Sequence, residues 1–269
     1  MSAEKRIACF FTAGYTELQA MKTFMKKIND GVAYIQLCPT QERRNSAAIK
    51  NRHMEIIRDN GMTGEKLIDF IVDFIQTKRF TDEKYDAILI EDDKDDRFLI
   101  SRSDGSAEID MAGWEKYKTD TRMKIKARFP DLPVVFIYAA PEVEGWFLAD
   151  WDNSFGKVYR GELTTGQNEY FSTKFRKYVN EMILTDQYRY CIERYGYFGG
   201  IYRKISEELQ KALDETDFLE GYMSGTEHPT VRYLKKNHGK SILEQIEPET
   251  VLQNCTFFFR DGFWELKAL

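Results

Sequence analysis

A chain of 269 residues with 42% hydrophobic and 14% aromatic side chains can bury a large core, which excludes a disordered or fibrous polypeptide. Its 39 basic and 44 acidic residues leave a formal charge of −5, too small to define a partner class, so any nucleic-acid contact must come from a local patch. Cys9, Cys38, Cys191 and Cys255 lack any C-x-x-C spacing, and no run of about 18 apolar residues occurs; a cytoplasmic, soluble protein without a membrane span is expected.

In chain order, "KRIACFFT" (5–12) reads as a buried parallel strand entering a turn at Ala13 and Gly14. A helix should follow, capped by Thr16, with Glu17 in its first turn and Leu18, Met21, Met25 and Ile28 at helical spacing. "VAYIQLC" is a second strand, leading to a polar helical stretch and then a helix from about Thr63 to Lys78. "YDAILI" is the third strand. "FLISRSDGSAEID" has strand-like ends around a turn and reads as an inserted hairpin. Residues 112–128 look helical, "LPVVFIYAA" is the most apolar strand, and Pro141 opens a helix carrying Glu142, Glu144, Trp146, Phe147 and Asp150.

Strands alternating with helices imply an α/β domain, its mainly parallel sheet flanked by helices, over residues 1–151. Residues 152–269 read as a helical C-terminal appendage packed on it.

The stretch "ILIEDDKDDRF" (88–98) places five acidic residues within positions 91–96, at the carboxyl end of a predicted strand where open α/β sheets gather ligands. Glu91, Asp92, Asp93, Asp95 and Asp96 repel one another unless solvent separates them or a cation neutralises them. Mg²⁺ or Mn²⁺ suits such hard oxygen donors, whereas a solvated acidic loop is the plain alternative. "PEVEGWFLAD" would bring Glu142 or Glu144 to the same sheet edge, although Glu142 also fits a simple helix-start role.

"FFTAGYTE", "ILIEDDKDD", "EVEGWFLAD" and "EHPTVRYLKK" together resemble an uncharacterised Toprim-like family related to OLD-family nucleases and the RloB-like proteins of phage defence. The resemblance spans most of the chain through short motifs. It implies a Toprim-like fold binding Mg²⁺ or Mn²⁺ for phosphodiester hydrolysis of DNA or RNA. Asp93 and Asp95 match the Asp-x-Asp, with Glu91 and Asp92 beside it and Glu144 as the later acidic residue. The implied metal ligands are Glu91, Asp92, Asp93, Asp95 and Glu144; Glu17, Asp93, Asp95, Glu144 and His228 form the implied catalytic set.

This chain departs from the family's E-G-x-T-E pattern at Ala13, where a glutamate is expected, and Glu17 is the nearest substitute. A catalytically weakened relative, a non-catalytic cation- or nucleotide-binding module and a structural subunit of a defence complex therefore stay open beside the nuclease. No G-x-x-x-x-G-K-[ST] loop is present, so an ATPase would be a separate partner chain, and self-association of the chain stays open too.

Residues 174–204 contain seven basic and three acidic side chains, a local +4, among eight Phe or Tyr residues. Lys174, Arg176, Lys177, Arg189, Arg203 and Lys204 offer a nucleic-acid surface, with helix core as the alternative for the aromatics. His228 precedes Pro229 and suits a proton carrier, a phosphate contact or an ordinary turn.

Overall fold

The computed structural model describes residues 4–12, 14, 16–45, 53–58, 62–103, 107–158, 173–177, 179–181, 192–198, 201–224, 233 and 235–269. β1 (Lys5–Phe11) leads through α1 (Glu17–Ile28) to β2 (Val32–Cys38). A hairpin of β3 (Thr40–Asn45) and β4 (His53–Arg58) precedes α2 (Gly64–Phe74) and the single turn α3 (Lys78–Thr81). β5 (Ala87–Asp93) runs into a second hairpin, β6 (Leu99–Ser101) and β7 (Ala107–Ile109), then α4 (Met111–Lys126), β8 (Val134–Ala139), α5 (Val143–Ala149) and α6 (Phe155–Val158). A short hairpin, β9 (Tyr197–Phe198) and β10 (Ile201–Tyr202), introduces α7 (Ile205–Ser224). A π turn at Lys235–Gly239 and the helices α8 (Lys240–Gln245), α9 (Pro248–Asn254) and α10 (Phe258–Lys267) complete the chain.

β2, β1, β5 and β8 form one parallel sheet in that order, so β1 and β5 are central and buried on both faces. The protein is thus an α/β fold with a four-stranded parallel sheet flanked by helices and a helical C-terminal region. Because strand side chains alternate, Ile7, Cys9, Phe11, Leu89, Val135 and Ile137 face α1, α5 and the C-terminal helices. Ala8, Phe10, Ile88, Ile90, Phe136 and Tyr138 face α2 and α4. Complete burial of each large apolar side chain contributes about 1.5–3 kcal/mol, and this two-sided burial holds the layers together.

The C-terminal helices finish the first face. Phe259, Phe263 and Leu266 of α10 are fully buried, and Phe259 lies 5.1 Å from Trp146 and 6.1 Å from Phe24, ring to ring. A side chain at Gly262 would overlap the Phe136 carbonyl oxygen, so glycine permits α10 to lie directly on β8. Arg122 Nη2 donates to both Glu265 oxygens at 2.7 Å, tying α4 to α10.

Two local expectations are corrected. The polar stretch after β2 is a hairpin, not a helix: β3 pairs antiparallel with β4, with Arg43 in register with Glu55 and Gln41 with Ile57. The helix propensity of Gln-Glu-Arg-Arg gives way to backbone pairing with a strand whose sequence includes the β-branched Ile56 and Ile57. Thr16 does not cap α1, because its own backbone is helical; its hydroxyl donates instead to the Lys235 carbonyl at 3.2 Å. The predicted hairpin across residues 98–110 is present as β6 and β7. No helix among the described residues is long and apolar enough to cross a membrane.

Candidate active site

Strand alternation splits the acidic run. Leu89, Glu91 and Asp93 share one side of β5, while Ile90 and Asp92 share the other. Asp92 is fully buried and accepts from Arg97 Nη2 at 2.7 Å and from the Gly64 backbone N–H at 3.1 Å, so it anchors the start of α2. That carboxylate is committed to structure. Arg97 lies over the Tyr117 and Tyr138 rings, each 5.7 Å away, which keeps its charge beside Asp92 in an apolar setting.

On the opposite face, Glu91 Oε2 accepts from the Thr12 N–H at 3.1 Å, and Asp93 Oδ1 accepts from the Val143 N–H at 3.1 Å. β8 delivers α5 to the same end of the sheet, bringing Glu142 and Glu144, both buried. Glu142 Oε2 accepts from the Ser206 N–H at 3.3 Å, where α7 begins, and makes no cap bond to its own helix. Glu144 Oε1 receives the Tyr233 hydroxyl at 2.8 Å and the Lys235 ammonium at 3.1 Å. Lys235 also lies 3.8 Å from Glu142 Oε2, and Lys204 lies 3.7 Å from Glu142 Oε1 and 3.6 Å from Asp95 Oδ1.

Glu17 joins this group from α1. Its carboxylate lies over the Gly14 backbone, where any side chain at position 14 would overlap it, and it is buried. Glu17 follows Ala13 by four positions in the chain, and Ala13 lies outside the described residues.

The electrostatics are those of carboxylates short of positive charge. Burial pushes Glu17 up to about 7, with Glu144 adding to the rise and Lys235 opposing it. Burial and then Asp93 and Glu17 raise Glu91 well above the ordinary range; burial, then Glu17, Glu142 and Glu144, do the same to Asp93 against Lys235. Glu142 is raised by burial and by Glu144. Burial works against the Lys235 ammonium, but Glu144, Glu142 and Asp93 outweigh it and hold it above an ordinary lysine.

Glu91 Oε1, Glu142 Oε1 and Glu144 Oε2 are buried without a hydrogen-bond partner. Hard carboxyl oxygens without hydrogen-bond donors are the type of ligand that a divalent cation such as Mg²⁺ or Mn²⁺ takes. As the side chains stand, no group of three or more His, Cys, Asp or Glu among the described residues is placed to hold a metal ion. Lys235 supplies positive charge at Glu142 and Glu144.

Of the residues expected from sequence, Glu17, Glu91, Asp93 and Glu144 are brought together. Asp95 sits half-buried at the rim with φ 51°, turned to Lys204. Asp92 points to the other face, and His228 lies outside the described residues. From the sequence, Glu142 or Glu144 is expected at this sheet edge, with a helix start as the plain alternative for Glu142, and no role is assigned to Lys235 or Tyr233. Both lie in "EHPTVRYLKK", far along the chain from the acidic motifs they meet.

In the basic and aromatic segment, the described side chains favour core. Phe175 and Tyr195 are buried, and Phe175 packs 5.4 Å from Trp151 and 5.5 Å from Phe155. Arg176 pairs with Asp152 at 3.3 Å, while Arg189 lies outside the described residues.

The chain matches no family model, no curated protein and no solved structure.

Proposed function

We propose that this chain is a Mg²⁺- or Mn²⁺-dependent Toprim-like nuclease that hydrolyses phosphodiester bonds of DNA or RNA, in a phage-defence or toxin setting. The observation that carries the reading is the meeting, at the carboxyl ends of parallel strands, of Glu17, Glu91, Asp93, Glu142 and Glu144, with Glu91 Oε1 and Glu144 Oε2 buried and accepting no hydrogen bond. Glu91, Asp93 and Glu144 are the residues that would hold the ion, with Glu17 and Glu142 beside them. The bound ion would neutralise these carboxylates and act as a Lewis acid toward a phosphoryl oxygen.

The chain's own residues have definable tasks. Glu17, buried beside Glu144 and Asp93, stands where a general base for water would be needed. The Tyr233 hydroxyl and the Val143 N–H orient Glu144 and Asp93. The half-exposed Lys204 and Lys235 line the rim and favour approach of a phosphate backbone.

A second reading, a non-catalytic cation- or nucleotide-binding module or a structural subunit, is favoured by the charge balance Lys235 already provides and by Ala13. The test is cleavage of single-stranded and duplex DNA and RNA by the purified chain with Mg²⁺ or Mn²⁺, alongside Glu17→Gln and Ala13→Glu. The nuclease reading expects metal-dependent cleavage that Glu17→Gln removes. Intact substrates throughout, with no gain from Ala13→Glu, leave the binding module.

A further inference from the structure

Glu142 and Glu144 have 2% and 0% side-chain exposure, whereas Lys235 has 50%, so two buried anions meet an ammonium that enters from solvent. The lysine has a defined station: the Thr16 hydroxyl holds its carbonyl at 3.2 Å, and Gly239, at the end of its π turn, packs against Thr16. The Glu144 oxygen touched by Lys235 also receives the Tyr233 hydroxyl, while its second oxygen is buried and unpartnered. The cluster is therefore only partly neutralised. A single charge on a flexible stem satisfies what a divalent ion would satisfy more completely.

We propose that Lys235 is a built-in counter-ion for the carboxylate cluster, occupying the electrostatic place of a divalent metal and being displaced into solvent when that metal binds. This rests on the metal-site reading above and extends it: the chain itself competes with its cation. The lysine offsets part of the repulsion of Glu142 against Glu144. In exchange, metal binding must break the Lys235 contacts, which weakens affinity and makes occupancy respond to cation concentration.

The test measures Mn²⁺ binding to the full chain by calorimetry and by the loss of the free Mn²⁺ paramagnetic resonance signal, without substrate. Lys235→Met should tighten binding about tenfold, the factor carried by about 1.4 kcal/mol, and Lys235→Arg should stay near wild type. Thr16→Val, which frees the backbone station without removing the charge, should tighten binding by a smaller factor and serves if Lys235→Met does not fold. Unchanged or weaker Mn²⁺ binding in Lys235→Met, or in Thr16→Val where that variant stands in, overturns the proposal while leaving the metal site intact. Absence of Mn²⁺ binding in wild type and variants alike removes the metal reading itself, and this proposal with it.

Discussion

Asp93 Oδ1 accepts the Val143 N–H at 3.1 Å, joining the acidic end of β5 to the first turn of α5. The bond aligns the two segments from which Glu91, Glu142 and Glu144 arise. Asp93→Asn retains an acceptor and removes a carboxyl whose ionisation burial and Glu17, Glu142 and Glu144 oppose, so its metal-free melting temperature should equal or exceed wild type while Mn²⁺ affinity and cleavage fall. Asp93→Ala leaves the N–H without an acceptor and should cost about 1–3 kcal/mol in denaturant unfolding.

Asp92 gives the opposite outcome. Removing Arg97 strands a fully buried carboxylate, so Arg97→Met should destabilise the fold by about 3–5 kcal/mol. Because Asp92 faces away from the cluster, whatever folded protein remains should bind Mn²⁺ with near wild-type affinity, which titration at low temperature would show.

The raised carboxyls make stability depend on pH with a defined sign. Glu17 rises from 4.5 to about 7 on folding, so the native state holds a proton that the unfolded chain releases. Its contribution is complete below about pH 4.5 and is lost as pH rises through about 7. Metal-free protein should therefore lose up to about 1.4 kcal/mol per pH unit for each such group across that window. Saturating Mn²⁺ should flatten the profile; urea melts at several pH values, with and without the ion, measure both.

Glu193 tests the C-terminal helix separately. Its buried carboxylate accepts from the N–H groups of Phe257, Phe258 and Phe259 at 2.7, 2.8 and 3.1 Å, capping the start of α10 from a distant segment. Glu193→Ala should cost about 1–3 kcal/mol in urea unfolding without changing Mn²⁺ affinity in the folded fraction.

Close contact rather than charge governs Gly262. The Cβ of Gly262→Ala would overlap the Phe136 backbone oxygen, which cannot rotate away. A loss of about 3 kcal/mol is expected in thermal or urea unfolding.

The four parallel strands were legible because each is a short apolar run, and a strand buried on both faces needs no subtler pattern. The hairpin after β2 was obscured because its charged first strand has good helix formers and acquires strand character only through its partner. Within the candidate site, Glu91, Asp93 and Glu144 could be read from their positions after apolar strands. Asp92 was indistinguishable from them until strand alternation assigned it to the other face and to Arg97. Lys235 was hidden for a different reason: its meeting with Glu144 spans 91 positions and depends on tertiary packing.

The seating of α10 on β8 also governs how the polypeptide can be divided. A fragment ending near Trp151 would leave Phe24, Val135, Ile137 and Trp146 facing water where Phe259, Phe263 and Leu266 now cover them. During synthesis that face stays open until the ribosome has released the α10 segment, so half-made chains are the form most exposed to aggregation and most in need of chaperone protection.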